Sequence, residues 1–392
     1  MTLPSSKITY RIASIDIVRG IVMIIMALDH TREFFHHNSL IGEDPLNLQT
    51  TTPILFFTRW ITHYCAPTFV FLSGVSVFLY GQNKTKRQVA FFLLTRGIWL
   101  VIAEYLVING LWFFDWSHLL LLEVFWAIGM SMIVFSVIQF LPYKIVLAIG
   151  LFIVFGHNLL DSIQITQPAV ESVIWSLIHT PNLFQVSPRF MVLVGYPFLP
   201  WLGLLICGYG LGKIFSANYE LRRQKFLFIT GTIIIFLFVV IRFADAYGDR
   251  NLWSAQASPF YTLLDFIDTT KYPPSLLYSL MTIWPALIAL SLSEHAHNAF
   301  TKCMRVYGKV PFVYYILHIL VLHSVARMIA FISGRGSGDA LFPGFPVVPN
   351  SGYPLWVVYT IWISVVILLY FPCRWYGNYR ANHPEKKWLT YL

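Results

Sequence analysis

The sequence predicts an all-α, polytopic membrane protein, and three observations support this class. First, 57% of the 392 residues are hydrophobic and only 11% are charged, whereas soluble domains carry about a quarter charged residues. Second, the hydrophobic residues form repeated runs of about 20, the length of helix that crosses a hydrocarbon layer. Third, the basic residues collect in short segments between these runs, as is typical of cytoplasmic loops. A soluble enzyme is therefore excluded.

Ten apolar stretches are long enough to cross a membrane as helices. In chain order they are 15–34, 55–80, 88–109, 118–140, 143–160, 190–213, 225–243, 273–293, 307–332 and 353–372. No linker, composition shift or internal repeat divides them, so residues 1–392 are predicted to form a single transmembrane domain. Two longer loops, 160–189 and 244–272, contain aromatic residues and are expected to lie at the membrane interface or to cover a cavity.

The basic residues predict the orientation of the chain. If the N-terminus is cytoplasmic, 17 of the 27 lysines and arginines fall on the cytoplasmic side and 8 on the outer side, while Arg19 and Arg96 lie within helices. Cytoplasmic loops are enriched in basic residues, so both termini are predicted to be cytoplasmic. The net charge of +9 then reflects topology, and nucleic acid is not an expected partner. The four cysteines have no metal-binding spacing, so no metal is expected.

The first span carries ionisable residues with a regular spacing. Arg19 and His30 are 11 residues apart, which places them within about 20° on one stripe of a helix and roughly 16 Å apart along its axis. Asp16 and Glu33 fall close to the same stripe. Ionisable side chains are costly in a membrane helix and usually face a protein interior or a cavity. We therefore expect this helix to line a polar cavity, with Arg19 near its cytoplasmic end and His30 near its outer end.

A second intramembrane arginine, Arg96, lies in the third span at a depth similar to that of Arg19. Two guanidinium groups at one depth are suited to binding phosphate or pyrophosphate. The structural alternative is that Arg19 caps helix ends or pairs with Asp16. Glu104, eight residues after Arg96, is expected to pair with a cation or to orient a histidine.

Six segments of the sequence, in order, resemble the bacterial branch of the heparan-α-glucosaminide N-acetyltransferase catalytic-domain family. They are SIDIVRGIVMIIMALDH (14–30), APTFVFLSGVSVFLYG (66–81), YPFLPWLGLLICGYGLG (196–212), KYPPSL (271–276), YGKVPFVYYILHI (307–319) and YFPCRWYGNYR (370–380). The sequence also looks similar to the membrane acyltransferase-3 proteins. In those proteins an Arg is followed eleven residues later by a His, and a later helix carries another Arg; the matching residues here are Arg19, His30 and Arg96.

The resemblance implies a membrane-embedded acyltransferase that depends on acetyl-CoA. Such an enzyme moves an acetyl group from cytosolic acetyl-CoA to an extracytoplasmic sugar, by N-acetylation of an amino sugar or O-acetylation of a glycan hydroxyl. The implied partners are acetyl-CoA as acyl donor, bound by Arg19 and Arg96, a glycan or amino sugar, and the lipid bilayer of a bacterial inner membrane. A homodimer is left open. The lumenal domain of the eukaryotic enzymes has no counterpart here, so heparan is not carried over as the substrate.

Two histidines are candidates for the catalytic base. His30 shares a helix stripe with Arg19, which favours it. In the eukaryotic relatives, however, the position that matches His30 looks like an Asn, and the essential histidine falls where this sequence has His37 or His36. We favour His30 over His37 as the group that removes a proton from the acceptor.

Three further residues are expected to support this base. Asp29 or Glu33 would fix the tautomer of the imidazole, because both lie within one turn of it. His318 would stabilise the oxyanion or orient the acceptor. Direct transfer in one ternary complex requires fewer assumptions than an acetyl-histidine intermediate, although the latter is not excluded.

A transporter or flippase for a small polar or lipid-linked substrate is the alternative function. It would use the same polar stripe as a substrate or proton path. Such proteins are built from inverted repeats with broken helices in corresponding halves. The sequence has neither pattern, which favours the acyltransferase.

Overall fold

The computed structural model describes residues 12–37, 44–163, 165, 170–216, 219–334 and 352–391. In these ranges the fold is helical, with one small sheet. The α-helices are α1 (Ala13–Phe35), α2 (Pro53–Trp60), α3 (Cys65–Gly81), α4 (Lys86–Ala103), α5 (Gly110–Phe113), α6 (Val124–Ile138), α7 (Tyr143–Gly156), α8 (Val170–Ile178), α9 (Phe198–Leu211), α10 (Glu220–Ala244), α11 (Pro259–Ile267), α12 (Leu276–Ser293), α13 (Ala299–Gly308), α14 (Pro311–Ile332) and α15 (Leu355–Asn382). The strands are β1 (Leu119–Leu122), β2 (Asn182–Ser187) and β3 (Phe190–Val194).

Within the described ranges, eight helical segments are long and apolar enough to cross a membrane. They are Pro53–Gly81, Lys86–Phe113, Tyr143–Leu160, Phe198–Phe215, Glu220–Ala244, Leu276–Ser293, Pro311–Ile332 and Leu355–Asn382. The other two predicted spans correspond to α1, which carries several charged residues, and to α6, which has 15 residues. The prediction of a polytopic, predominantly helical membrane protein is confirmed.

Two predicted spans, 118–140 and 190–213, begin as strands rather than helices. β1 pairs in parallel with β3, and β3 pairs antiparallel with β2, which gives the order β1-β3-β2. Asn109 explains part of this difference, because its side chain accepts from the Leu121 N–H at 2.8 Å and donates to the Leu121 carbonyl at 2.9 Å. The backbone groups that a helix would use at Leu121 are thus bound by a side chain from another segment.

Helix α1, which carries five charged residues, lies inside the bundle. It packs against α3, α12, α13, α14 and α15, and most of its residues are buried. Trp362 on α15 donates to the Ile24 carbonyl at 2.8 Å, and the Cys65 thiol donates to the Val22 carbonyl at 3.3 Å. The ionisable residues of α1 are therefore surrounded by protein rather than lipid, as their cost in hydrocarbon requires.

Glycines bring two pairs of helices into backbone contact. A Cβ atom added to Gly208 of α9 would lie 1.9 Å from the Phe71 carbonyl oxygen of α3. α1 and α13 meet in the same way, since a Cβ atom on Gly308 would lie 1.8 Å from the Asp16 carbonyl oxygen. Small residues let membrane helices approach this closely, and van der Waals packing then holds them together.

We expect Gly208→Ala and Gly308→Ala to lower the melting temperature, because each methyl group would force two helix backbones apart. Overpacking of this kind costs about 1–3 kcal/mol. Gly156→Ala is the matched control, since the atom nearest to its added Cβ lies at 3.8 Å, an ordinary contact. Thermal unfolding of the purified proteins in detergent measures the effect. If all three variants melt together with the wild type, the close helix contacts do not limit stability.

Candidate active site

A pocket lies beside the C-terminal half of α1. Its polar lining residues are Asp29, His30, Glu33, Thr62, Glu123, Tyr196, Lys271, Tyr272 and Tyr315. Its apolar lining residues are Met26, Cys65, Ala66, Phe69, Trp112 and Val124. A concave site with a few convergent polar and ionisable groups among apolar side chains is the usual form of a small-molecule site.

Inside this pocket, His30 belongs to a chain of hydrogen bonds. His30 Nδ1 lies 2.6 Å from His318 Nε2, and His318 Nδ1 lies 2.9 Å from the Tyr314 carbonyl oxygen. A carbonyl oxygen only accepts hydrogen bonds, so neutral His318 carries its proton on Nδ1. Its Nε2 then accepts from the Nδ1–H of His30. The unprotonated ring nitrogen of His30 is therefore Nε2. In this tautomer Nε2 can take up a proton.

The carboxylate next to His30 in the sequence has other partners. Asp29 Oδ1 accepts from Arg32 Nη2 at 3.0 Å, and Asp29 Oδ2 accepts from Arg59 Nη1 of α2. Glu33 Oε1 lies 3.6 Å from the same Arg32 nitrogen. Asp29 and Arg32 are buried, and Arg59 is nearly so. Two of the carboxylates that line the pocket, Asp29 and Glu33, are thus compensated by guanidinium groups that are not among the lining residues.

These contacts change the roles expected for the residues around His30. Asp29 and Glu33 line the pocket as expected, but both contact arginines. To fix the tautomer of His30, a carboxylate would have to bind its Nδ1. That nitrogen is hydrogen-bonded to His318 instead. His318 is therefore the residue in position to fix the tautomer of His30, which sequence reasoning assigned to Asp29 or Glu33.

The rival histidines lie at the end of α1, beyond the pocket. His37 is exposed and is not among the lining residues in the described part of the chain. Its N–H donates to the Tyr353 carbonyl at 3.4 Å, and half-buried His36 forms a backbone bridge with Tyr353. Gly352 has a φ of +127°, and a Cβ atom there would lie 2.7 Å from the His36 carbonyl oxygen, so this close backbone contact requires a glycine.

The two arginines expected to bind phosphates contact different segments. Arg19 donates to the Leu72 carbonyl at 3.3 Å and to the Ser76 hydroxyl, both on α3. The Arg96 guanidinium lies 5.3 Å from the ring centroid of Tyr391, near the end of the chain. Both arginines are half-buried. Neither lines the pocket, whose nearest lining residue on α1, Met26, lies about two helical turns from Arg19.

Sequence reasoning missed the pocket loop, residues 270–275, which carries Lys271 into the site. Asp249 holds this loop, because its carboxylate accepts from the Thr270 N–H at 3.0 Å and from the hydroxyls of Thr270 and Ser275 at 2.6 Å each. In the sequence, Asp249 and Lys271 look like ordinary loop charges. The available signal was that Lys271 begins the KYPPSL segment shared with the family.

A buried arginine organises the segment before the pocket loop. Arg242, at the C-terminal end of α10, is 1% exposed. Its guanidinium donates to four backbone carbonyls, those of Asn251, Asp265, Phe266 and Asp268, at 2.6–3.0 Å. The position of Arg242 in the sequence gave no sign of these partners. The 244–272 loop is thus a fixed structure next to the pocket.

A second carboxylate, Asp161, ties the same region to α7 and α8. Asp161 accepts from His179 at 3.0 Å, from Arg250 at 3.0 Å and from Asn158 at 2.8 Å. Burial alone would raise the pKa of Asp161, but the hydrogen bonds from His179, Arg250 and Asn158 outweigh burial and lower the pKa to about 2. Because Arg250 follows Asp249, this contact also restrains the residue that holds the pocket loop.

Fold and pocket together define a multi-pass membrane protein with a histidine- and carboxylate-lined site suited to acid–base chemistry. A family model described as "Heparan-alpha-glucosaminide N-acetyltransferase, catalytic" matches residues 11–241, which is more than half of the chain. The chain belongs to this family, as the sequence segments predicted, and is an acetyltransferase embedded in a membrane. Among curated proteins, none matches this chain.

We expect Asp161→Asn to destabilise the protein more at neutral pH than in acid. The folded carboxylate has a pKa of about 2, whereas an unfolded Asp has a pKa of about 3.9. Its contribution to the free energy of unfolding is therefore complete above the unfolded value and is lost as the pH falls towards the folded value. Melting temperatures in detergent from about pH 6 to about pH 2.5 cover this window.

The difference in melting temperature between wild type and Asp161→Asn should shrink as the pH falls. Glu171→Gln, which changes an exposed carboxylate on α8, is the matched control and should show no such trend. A difference that stays constant over the whole pH range would contradict the assignment of the stabilising charge to Asp161.

Proposed function

We propose that the protein transfers an acetyl group from cytosolic acetyl-CoA to an extracytoplasmic sugar, with His30 as the general base. The observation that carries this proposal is the hydrogen-bonded chain from Tyr314 through His318 to His30, which ends in the pocket of a chain from an acetyltransferase family. The acceptor nucleophile is an amino group or a hydroxyl. Both are weak nucleophiles until a proton is removed, so a positioned base is what the reaction needs.

The proposed reaction forms one bond to the acetyl carbon and breaks another. His30 Nε2 removes the proton from the acceptor group as that group attacks the thioester carbonyl. The carbon–sulfur bond then breaks, and the thiolate of coenzyme A takes the proton from His30. His318 keeps Nδ1 of His30 occupied throughout, so that the proton moves only at Nε2.

In this proposal the donor spans the protein from the cytoplasmic end. Arg19 and Arg96 bind its phosphates, and the pantetheine arm extends towards His30, roughly 16 Å further along α1. With the N-terminus in the cytoplasm, the charged head and the thioester would lie at different depths, as a transfer across the membrane requires. The contact of Arg19 with α3 supports this role, because it fixes a guanidinium inside the helix bundle.

The ion pairs of Asp29 would serve the same site indirectly. Arg32 and Arg59 hold the Asp29 carboxylate from α1 and α2. This arrangement fixes the backbone at position 29 and therefore the direction of the neighbouring His30 ring. In this proposal Asp29 is a positioning residue. Glu33 is a polar group on the side of the pocket where the acceptor would bind.

We expect His30→Ala to lower turnover at saturating acetyl-CoA by roughly 10²–10⁴-fold, the usual contribution of a general base. Its affinity for acetyl-CoA should change little, because the histidine acts on the acceptor. His37→Ala is the matched control and should keep near-normal turnover, since His37 is exposed outside the pocket. The measurement is acetyl transfer by folded proteins of equal thermal stability. An inactive His37→Ala beside an active His30→Ala would move the reaction to the end of α1.

We expect Arg19→Ala and Arg96→Ala to weaken the binding of acetyl-CoA more than they slow the chemical step. A phosphate contact stabilises ground and transition states alike, and each lost charge-assisted contact costs about 1.5–3 kcal/mol. Titration calorimetry with acetyl-CoA and with its 3′-dephospho form measures the effect. Arg222→Ala, at an exposed position, is the control. Unchanged affinity in both test variants would make the two arginines structural.

A further inference from the structure

Glu123 places a carboxylate in the pocket that the reaction described above does not use. The residue lies between β1 and α6, and its side chain lines the pocket together with His30 and Lys271. Among the salt bridges of the described residues, none involves Glu123. The Lys271 ammonium lies 5.0 Å from the ring centroid of Tyr272 and 5.9 Å from that of Tyr196. Aromatic rings therefore hold Lys271, and Glu123 remains available to a ligand.

The backbone at Glu123 explains why its side chain faces the pocket. Glu123 occupies the position just before α6, where an acidic or polar side chain usually turns back to bind N–H groups of the first helical turn. The Glu123 side chain makes no such bond. A different residue must therefore satisfy the start of α6.

Glu104 supplies that cap from another segment. Glu104 Oε2 accepts from the Trp126 N–H at 2.7 Å, in the first turn of α6. Glu104 is 1% exposed and begins the π-helical segment Glu104–Asn109, a deviation that is frequent at functional sites. Sequence analysis expected Glu104 to pair with a cation or to orient a histidine; it binds the backbone of α6 instead.

We propose that Glu123 binds the acceptor and that Glu104 is its positioning residue. This inference rests on the proposed function, because it assigns a role within the same pocket. In its ionised form Glu123 only accepts hydrogen bonds, so it takes a donor group of the acceptor, the hydroxyl or amine adjacent to the group that is acetylated. When Glu123 binds this adjacent group, the nucleophile of the acceptor faces Nε2 of His30.

Because Glu104 caps α6 next to Glu123, the kinetic effects of substituting the two residues should be coupled. A carboxylate with only a structural role would not show this coupling. Glu104 acts through Glu123, so replacing its carboxyl group alters acceptor binding only while Glu123 is present. The two residues should therefore be non-additive in acceptor kinetics. A structural role for Glu104 alone would lower stability and would affect donor and acceptor alike.

The test uses the full-length protein in detergent, with acetyl-CoA as donor and glucosamine as acceptor probe. Glucose, which has a hydroxyl in place of the amine, is the second probe. Glu123→Gln should lower kcat/KM for the reacting probe roughly 10–100-fold, the effect of losing one hydrogen bond to a charged group. The KM for acetyl-CoA should stay within about twofold, because the donor contacts are elsewhere.

Four further variants, one of them a control, complete the test. Glu123→Asp keeps the charge and should recover part of the lost kcat/KM. Glu104→Gln should lower kcat/KM for the acceptor less than Glu123→Gln does, and the double variant should be no worse than Glu123→Gln alone. Glu171→Gln, at an exposed position on α8, is the control and should match the wild type.

The outcomes separate this inference from the function on which it rests. Normal acceptor kinetics in Glu123→Gln, or an equal loss for acetyl-CoA and acceptor, would overturn the role of Glu123 while acetyl transfer by the wild type upholds the function. Additive losses in the double variant would overturn the positioning role of Glu104. If the wild type transfers acetyl to neither sugar, both proposals are overturned.

Discussion

The pairing of Asp29 with Arg32 and Arg59 is the interaction on which the rest of the site depends. α1 carries more charge than the other predicted spans and yet lies inside the bundle, which is tolerable only if its ions are compensated. Removing one partner of such a buried pair typically costs about 3–5 kcal/mol, because the other charge is left alone. The two arginines come from α1 and α2, so the compensation also fixes both helices around the pocket.

The helices and half of the site could be predicted from the sequence because both depend on local composition. Apolar runs gave the spans, and ionisable residues within an apolar run identified Asp29, His30 and Glu33, which all line the pocket. The strands could not be predicted in the same way. Leu119–Leu122 is as apolar as a helix, and its conformation depends on the Asn109 side chain, which reaches it from the preceding segment.

The contacts that assemble the site join distant segments, and periodicity does not report such contacts. His318 reaches His30 across 288 positions of sequence. Lys271 and Glu123 enter the pocket from non-helical segments, and the residues that hold them, Asp249 and Glu104, act on backbone groups and hydroxyls. A charged residue whose partners are backbone N–H groups leaves no pattern in the sequence. For such residues only the fold identifies the role.

The histidine chain has a consequence for the order of events. It ends on the Tyr314 carbonyl oxygen, which has no proton to give and cannot pass one on. The histidine chain therefore offers no path by which a proton could pass from His30 to solvent. In the proposed reaction, a proton that His30 takes from the acceptor has to leave by the nitrogen at which it arrived. The thiolate formed in the pocket is the natural recipient, which ties acceptor activation to the presence of the donor.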